Sequence, residues 1–370
     1  MKRVDELIPW EVTDISLRPY KAFFSFNPSI HYDGDLWRCV LRCADYALPD
    51  GHEIRSRKAK SGMSRTKNAM VIFDPQSWKP VEIYKMREDD ELPRVSSSSV
   101  GYEDIRLFRT DRHGLQGIAA ALHLRRTDRR DQLAEQVLLW FDDAYNIVEA
   151  RPFRGSFSNT AGAGSHQRAE KNWAPFDNCA EPRFIYAIDK GTLFDDRGEL
   201  RSSEASVRPS TRPRRSYDPE PERSAIKRAQ ERAQEIEHER ALEERRKKRD
   251  NESSRGRVMP VVEALGYDGL RGGTQLVRVG DDSWLGIGHS MRFVDKLKYY
   301  FHVWYLVDSR GKLTAVSVPM KLAPNHGIEF AAGLAIDGER VVVSFGVDDA
   351  ECKIGETKLP AVLEMLQPVK

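Results

Sequence analysis

The feature that most constrains the fold is a repetition of short apolar runs closed by tight polar turns. LWRCVLRCADY, AMVIFD, DIRLFRT, GIAAALHL and QVLLWFD fall between residues 20 and 190, and TQLVRV, WLGIGHS, YYFHVWYLVD and RVVVSFGV follow from 270 onward. Asp33-Gly34, His113-Gly114, Gly280-Asp281-Asp282 and Asp337-Gly338 separate consecutive runs by a few residues, which is hairpin spacing. Long amphipathic helices do not interrupt these stretches, so the pattern predicts an all-β fold in preference to an α/β one.

A second regularity lies over the first. A polar cluster opens a strand, the strand meets a turn, and an apolar partner follows. The openings are FNPSI at 26, YEDIRLF at 102, EKNWAPF at 170, RGGTQLV at 271 and IEFAAGL at 328. Five such units suit a five-bladed β-propeller, whose innermost strands line a central channel. The polar residues at the start of each inner strand then converge at one mouth. For the third unit this puts Glu170, Lys171 and Asn172 at a shared pocket while Trp173 and Phe176 pack between blades.

Residues 195–257 break the pattern. RSSEASVRPSTRPRRSYDPEPE is rich in Arg, Ser and Pro and reads as disordered or loop-like. RSAIKRAQERAQEIEHERALEERRKKRD reads as a solvated helix dense in Glu and Arg, open to self-association or partner docking. The expected organisation is therefore three blades in 1–194, a charged, partly helical insertion in 195–257 and two blades in 258–370, forming one catalytic domain. The insertion accounts for a charged content of 31%, above the usual quarter. The basic stretch RSRKAKSGMSRTK, 55–67, reads as a solvated loop that could also reach over the mouth.

Charge excludes some partners. With 59 basic and 57 acidic residues and a net charge of +2, no global field points to nucleic acid or to a membrane surface. No apolar run reaches the 18 or so residues of a membrane span, and MKRVDELIPWEVTD has no signal-peptide core. Cys39 and Cys43, four apart in a strand, lie too far from each other for a disulfide. A reduced, cytoplasmic protein is the simplest expectation.

Several motifs together resemble a known family. NPSI at 27–30, YEDIRLF at 102–108, EKNWAPF at 170–176, WLGIGHS at 284–290 and SFGVDD at 344–349 occur in the order of the five-bladed β-propeller β-mannoside phosphorylases and β-1,2-mannosidases, with their related β-mannosyltransferases. The family patterns read approximately N-P, E-D-P-R, E-K-N, Y-H-G and Y-G-x-x-D. Here Ile105 replaces the Pro and Ser290 the Gly. The resemblance implies Asp104 as proton donor, with Arg106, Lys171 and His289 on the anion-binding side. Asn27 and Asp348 or Asp349 would hold sugar hydroxyls.

The residues themselves agree with that chemistry. Inverting cleavage of a glycosidic bond needs one carboxylic acid to protonate the leaving oxygen and an attacker on the opposite face. If phosphate attacks, cations must bind it, and Arg106, Lys171, Arg271 and His289 are suited to that. If water attacks, a second carboxylate must activate it, and Glu170 or Glu329 is available. Glu170, Asn172, Glu329, Asp348 and Asp349, with Asn27, complete the candidate sugar-binding set. Inorganic phosphate or a sugar phosphate is expected as substrate, with no organic cofactor and no metal, since no His and Cys spacing fits zinc and no acidic loop fits calcium. AGAGSH at 161–166 lacks the context of a dinucleotide loop, and there is no Walker sequence.

Plainer readings stand beside these. Asp104 could bridge to a neighbouring arginine, Lys171 and Arg106 could form an ion-pair network, and His289 could be a satisfied core histidine. Asn27, Asp348 and Asp349 could be turn formers. The function classes left open are a glycosyl-transferring enzyme working with phosphate or a phosphate-bearing donor, an inverting glycoside hydrolase, and a non-catalytic glycan-binding or scaffold protein.

Overall fold

The computed structural model describes residues 2–49, 54–55, 65–88, 101–124, 132–153, 172–186, 188, 193–195, 200–201, 270–294, 297–323 and 328–369. Residues Met1–Ser202 together with Gly266–Lys370 form one compact unit, and Ser203–Leu265 form another. The second unit lies outside the described residues, and the expected charged helix with it. The basic stretch 55–67 is described only at its ends.

The first unit is all-β, as the alternation of apolar runs and turns predicts. Its sheets follow chain order. The first runs outward through Phe24–Tyr32, Trp37–Ala44, Thr66–Phe73 and Pro80–Lys85, and the second through Glu103–Thr110, Gly114–Leu124, Gln132–Phe141 and Ile147–Pro152. The third is built from Ala174–Pro175, Arg183–Ile185, Leu193–Asp195 and Leu200–Arg201. In the fourth, Ser283–Val294 and Leu297–Val307 form the long central pair, flanked by shorter strands that include Arg271–Gly272, Val277–Gly280 and Leu313–Val316. The fifth runs through Glu329–Asp337, Arg340–Val347 and Glu351–Lys358, and Glu11–Asp14 completes its outer edge. A two-stranded ribbon, Tyr46–Ala47 with Ile54–Arg55, stands apart from these.

Tight turns make these meanders possible. Gly34, Gly114 and Gly338 sit at φ 95°, 67° and 58° in turns that join neighbouring strands, a region open to glycine without strain.

Central strands are apolar on both faces where their sheet packs against two others. In Trp37–Ala44 the alternation separates two neighbours: Cys39, Leu41 and Cys43 join Val342, Cys352 and Ile354 of the fifth sheet, while Val40 joins Leu107, Ala119 and Val137 of the second. Phe108, Ile118 and Leu138 of the second sheet meet Trp173 and Phe184 of the third. Leu285, Ile287 and Trp304 of the fourth meet Leu334, Val341 and Val343 of the fifth.

Hydrogen bonds tie the sheets in the same succession. Leu107 N donates to Ser29 Oγ at 3.0 Å, Asn178 N to Arg109 O at 2.9 Å and Leu276 N to Pro175 O at 2.7 Å. Ala331 N donates to His302 Nε2 at 3.3 Å, and Ile30 N to Ser344 Oγ at 2.9 Å, which leads from the first sheet to the fifth. The fully buried Gln275 joins three sheets at once: its Nε2 donates to Ile30 O at 2.7 Å and Leu334 O at 2.6 Å, and its Oε1 accepts from Leu334 N at 3.1 Å. A carboxamide buried at 0% needs such partners to offset its desolvation.

The inner strands share a distortion. In the first sheet Phe26 pairs with Arg42 and Ser29 with Val40, so Asn27 and Pro28 together oppose one residue. In the second, Glu103 pairs with Ala120 and Arg106 with Ile118, so Asp104 and Ile105 do the same. The fifth has one extra residue between Ala331 and Gly333. Such bulges bend a strand and re-aim its side chains.

Candidate active site

Two of the bulged residues, Asn27 and Asp104, are ones that the sequence marks as functional. Asn27 has φ 47° and Asp104 φ 52°, and Asn172, just ahead of Ala174–Pro175, has φ 67°. Left-handed backbone is uncommon outside glycine, and Asn and Asp are the side chains that tolerate it best. The neighbouring glycines leave room for this backbone: a Cβ on Gly346 would lie 2.6 Å from Asn27 N, and one on Gly272 would lie 2.6 Å from Asn172 O.

The structure brings Asn27 and Asp104 together. Asn27 Nδ2 donates to Asp104 Oδ1 at 2.9 Å. Arg42 Nη1 donates to the same oxygen at 2.9 Å, while Arg42 Nη2 pairs with Glu103 Oε1 at 2.8 Å. One guanidinium is thus shared by two carboxylates, and Asp349 also acts on it through its charge. These anions hold Arg42 well above its ordinary value against the effect of burial. Asp104 keeps 13% of its side chain exposed where Arg42 keeps 5% and Glu103 8%, so Asp104 is the member of this trio that a ligand can best reach.

A second group adjoins the first. Arg106, 1% exposed, donates through Nε to Gly273 O and through Nη2 to Asn172 Oδ1 at 2.7 Å. Its guanidinium lies 5.3 Å from the centre of the Phe330 ring. Burial pushes Arg106 down to about 10, with Asp104 and Tyr305 opposing. It stays charged at neutral pH. Because Asn172 Oδ1 faces Arg106, its Nδ2 faces His289 Nε2, 3.4 Å away. His289 then accepts at Nε2 and carries its proton on Nδ1. Burial, with the charges of Arg106 and Arg271, pushes His289 down to about 3. It is a neutral hydrogen-bonding group at pH 7, not a cation.

Arg271 is exposed and stands opposite His289 in the strand pairing, and its charge is felt by both His289 and Tyr300. Tyr300 also senses Asp349 and Asp104 and is pushed up to about 12, chiefly by burial. Asp349, at φ 46°, therefore belongs electrostatically with Arg42, Tyr46 and Tyr300.

Two candidates have structural contacts of their own. Glu329 is buried at 0%, and its oxygens accept from Leu322 N at 2.9 Å and Ala323 N at 3.2 Å. Burial pushes it up to about 7 despite Lys321 and these amides. His302 Nε2 accepts from Ala331 N, so its proton lies on Nδ1, 3.7 Å from Glu329 Oε2. Burial holds His302 well below its ordinary value, so this contact is not an ion pair at neutral pH. Asp348, at φ 53°, accepts from Ile328 N at 2.9 Å and its carbonyl from Leu48 N at 2.9 Å, a turn-forming role. Glu170 and Lys171 lie outside the described residues.

Trp173 and Phe176 occupy the interior as expected, Trp173 stacked 5.1 Å from Phe153 and Phe176 edge-on to Trp284 at 5.6 Å. The residue that sequence reasoning missed is Arg42. Its signal is its place on the same strand face as Val40, where the alternation calls for an apolar side chain. Among the described residues no cluster of His, Cys, Asp and Glu is arranged to hold a metal ion, and no helix is long and apolar enough to cross a membrane.

No protein-family model matches this sequence, and no curated protein matches it. The fold does match solved structures. The β-1,2-mannobiose phosphorylase from Listeria innocua, solved with β-1,2-mannobiose, gives a TM-score of 0.50 at 10% identity over 96% of this chain and 96% of that one. A structure from the GH130 family of mannoside phosphorylases, described as containing glycoside hydrolases that target β-1,2 mannosidic linkages in Candida mannan, gives 0.51 at 9% identity over 91% and 85%. At these identities the likeness is one of fold.

Proposed function

We propose that this chain is a carbohydrate-active enzyme that transfers a glycosyl unit, mannosyl first among candidates, to or from phosphate with inversion. In this reading its five sheets are the blades of a five-bladed β-propeller. The succession of inter-sheet hydrogen bonds, which leads from the fifth sheet back to the first, supports that architecture. The observation that carries the functional reading is the meeting of Asp104, held by Arg42 and Asn27, with the Arg106–Asn172–His289 group at the openings of the inner strands.

Asp104 gives its proton to the leaving oxygen as the bond from that oxygen to the anomeric carbon breaks. A phosphate oxygen attacks the same carbon from the opposite face, and the product is a sugar 1-phosphate of inverted configuration. Arg106 and Arg271 supply positive charge for the phosphate, Lys171 joins them, and neutral His289 holds the Asn172 carboxamide beside Arg106. Asn27, Asn172 and Asp349 hold sugar hydroxyls. Phosphate is a substrate here, and the reaction calls for no organic cofactor or metal.

A second reading, inverting hydrolysis, rests on the gathering of Glu103, Asp104 and Asp349 around Arg42, which offers a further carboxylate to activate water.

The test is phosphate release from a panel of α-sugar 1-phosphates, mannose first, with mannose, N-acetylglucosamine and short mannosides as acceptors. Release should depend on the acceptor and fall by about 10²–10⁴-fold in Asp104→Asn. No release from folded protein with any donor would reject phosphate as co-substrate. Hydrolysis of mannosides without phosphate would then favour the second reading.

A further inference from the structure

A cleft of about 840 Å³ lies where the outer strands Thr66–Phe73 and Pro80–Lys85 of the first sheet meet the turn ahead of Ile147–Pro152. That volume is within the range of small-ligand sites, roughly 300–1,000 Å³. Tyr20, Tyr84, Lys67, Lys85, Arg87 and Glu88 are among the residues that line it. Lys85 stands opposite Ala69 in the strand pairing, so Lys67 and Lys85 are diagonal neighbours on one sheet face, about 7–8 Å apart at the backbone.

Both ammonium groups rest over the same aromatic ring. Lys67 Nζ is 5.1 Å and Lys85 Nζ 5.6 Å from the centre of Tyr20, and Lys67 is 5.8 Å from Phe23. Neither lysine has a carboxylate partner among the described residues. An exposed contact of this kind is weak, and the two like charges repel each other. A bound anion would relieve that repulsion and replace two weak contacts with charge-assisted hydrogen bonds. The Tyr20 platform would stay in place, since its hydroxyl donates to Asn68 O at 3.0 Å.

The balance of charge selects the ligand. Among the described lining residues Lys67, Lys85 and Arg87 stand against Glu88, three positive charges and one negative, net +2. A phosphomonoester carries about −1.5 to −2 at neutral pH, whereas a single carboxylate would leave half of that charge unanswered. We infer that this cleft binds a small phosphomonoester, with Lys67 and Lys85 leaving the Tyr20 face to flank the phosphate oxygens and Arg87 adding its planar fork. The inference is independent of the reaction assigned to Asp104.

Calorimetric titration of the full chain with glucose 6-phosphate, beside glucuronate, tests this. The phosphate ester should bind in a salt-sensitive manner, and Lys67→Ala/Lys85→Ala should weaken it by roughly tenfold or more. Both positions are exposed, and a thermal melt of the variant verifies folding. Lys67→Glu should weaken binding further, while Arg271→Ala, at the strand openings, should leave it unchanged. No binding, equal binding by the double variant, or loss of binding in Arg271→Ala would overturn the assignment. Glucuronate binding as tightly as the phosphate ester would overturn the phosphomonoester as its ligand.

Discussion

Arg42, on the second strand of the first sheet, and Arg106, on the first strand of the second, are both buried, yet the protein uses them in opposite ways. Arg42 faces Glu103 and Asp104, so its charge is more than matched. Arg106 faces a carbonyl, a carboxamide and an aromatic ring, so its contacts are dipoles and a quadrupole, none of which cancels its charge. One arginine organises acids, and the other holds positive charge in a low-dielectric place where an anion would feel it strongly. The lesson is that burial alone does not say what a charged residue is for. The partner set does.

Three experiments would break or sharpen that contrast. Arg42→Met should have the largest effect, a loss of about 3–5 kcal/mol of stability in urea denaturation, because two carboxylates lose their shared cation. A loss no greater than that of Arg106→Met would mean that the pairing with Glu103 and Asp104 is not what holds this region. Arg106→Met should lose less, about 1–3 kcal/mol, since it leaves Gly273 O and Asn172 Oδ1 without their donor. It should also weaken inorganic phosphate as co-substrate, and Arg106→Lys should restore part of the charge without the fork. An unaltered phosphate KM in Arg106→Met would remove this residue from the anion-binding side.

The effect that is smallest at neutral pH emerges only in acid. His289, held at about 3 against an ordinary 6.5, is neutral in the folded chain while the unfolded chain takes up a proton, so stability falls as pH drops from about 6.5 towards 3. His302 acts in the same direction. Glu329, raised to about 7 from 4.5, works the other way, removing stability as pH rises between those values. His289→Gln should therefore flatten the acid limb of a stability-against-pH curve and leave the neutral limb alone. An unchanged acid limb would show that His289 is not buried as a neutral group.

The all-β class was legible from alternation and turns, because strand pairing with near neighbours is a local property. The five openings were legible too, and each lies at or beside the first strand of a sheet. Asn27, Asp104 and Asn172 were marked by their residue types, since Asn and Asp accept the backbone that a bulge or strand entry requires. Arg42 was hidden because its partner Asp104 is 62 residues away, and no local pattern announces such a pairing. Glu329 looked like a ligand-binding carboxylate in IEFAAGL, but its partners are backbone amides at Leu322 and Ala323, which a sequence of side chains does not display. His289 was read as part of a cationic set, and only its burial, together with the arginines around it, reveals that it is neutral.

The strand Glu11–Asp14 pairs with Lys353–Glu356 across the outer edge of the fifth sheet. It finds its partner only after more than 300 further residues have been made, on the order of tens of seconds at usual synthesis rates. Throughout that interval it is an open edge with nothing to pair. Among the described residues this pairing closes the longest loop in the sheet system, and contacts of such separation are slow to form. Its registration is therefore the natural last step of folding, and the interval before it is when a chaperone would find the chain most in need of shelter.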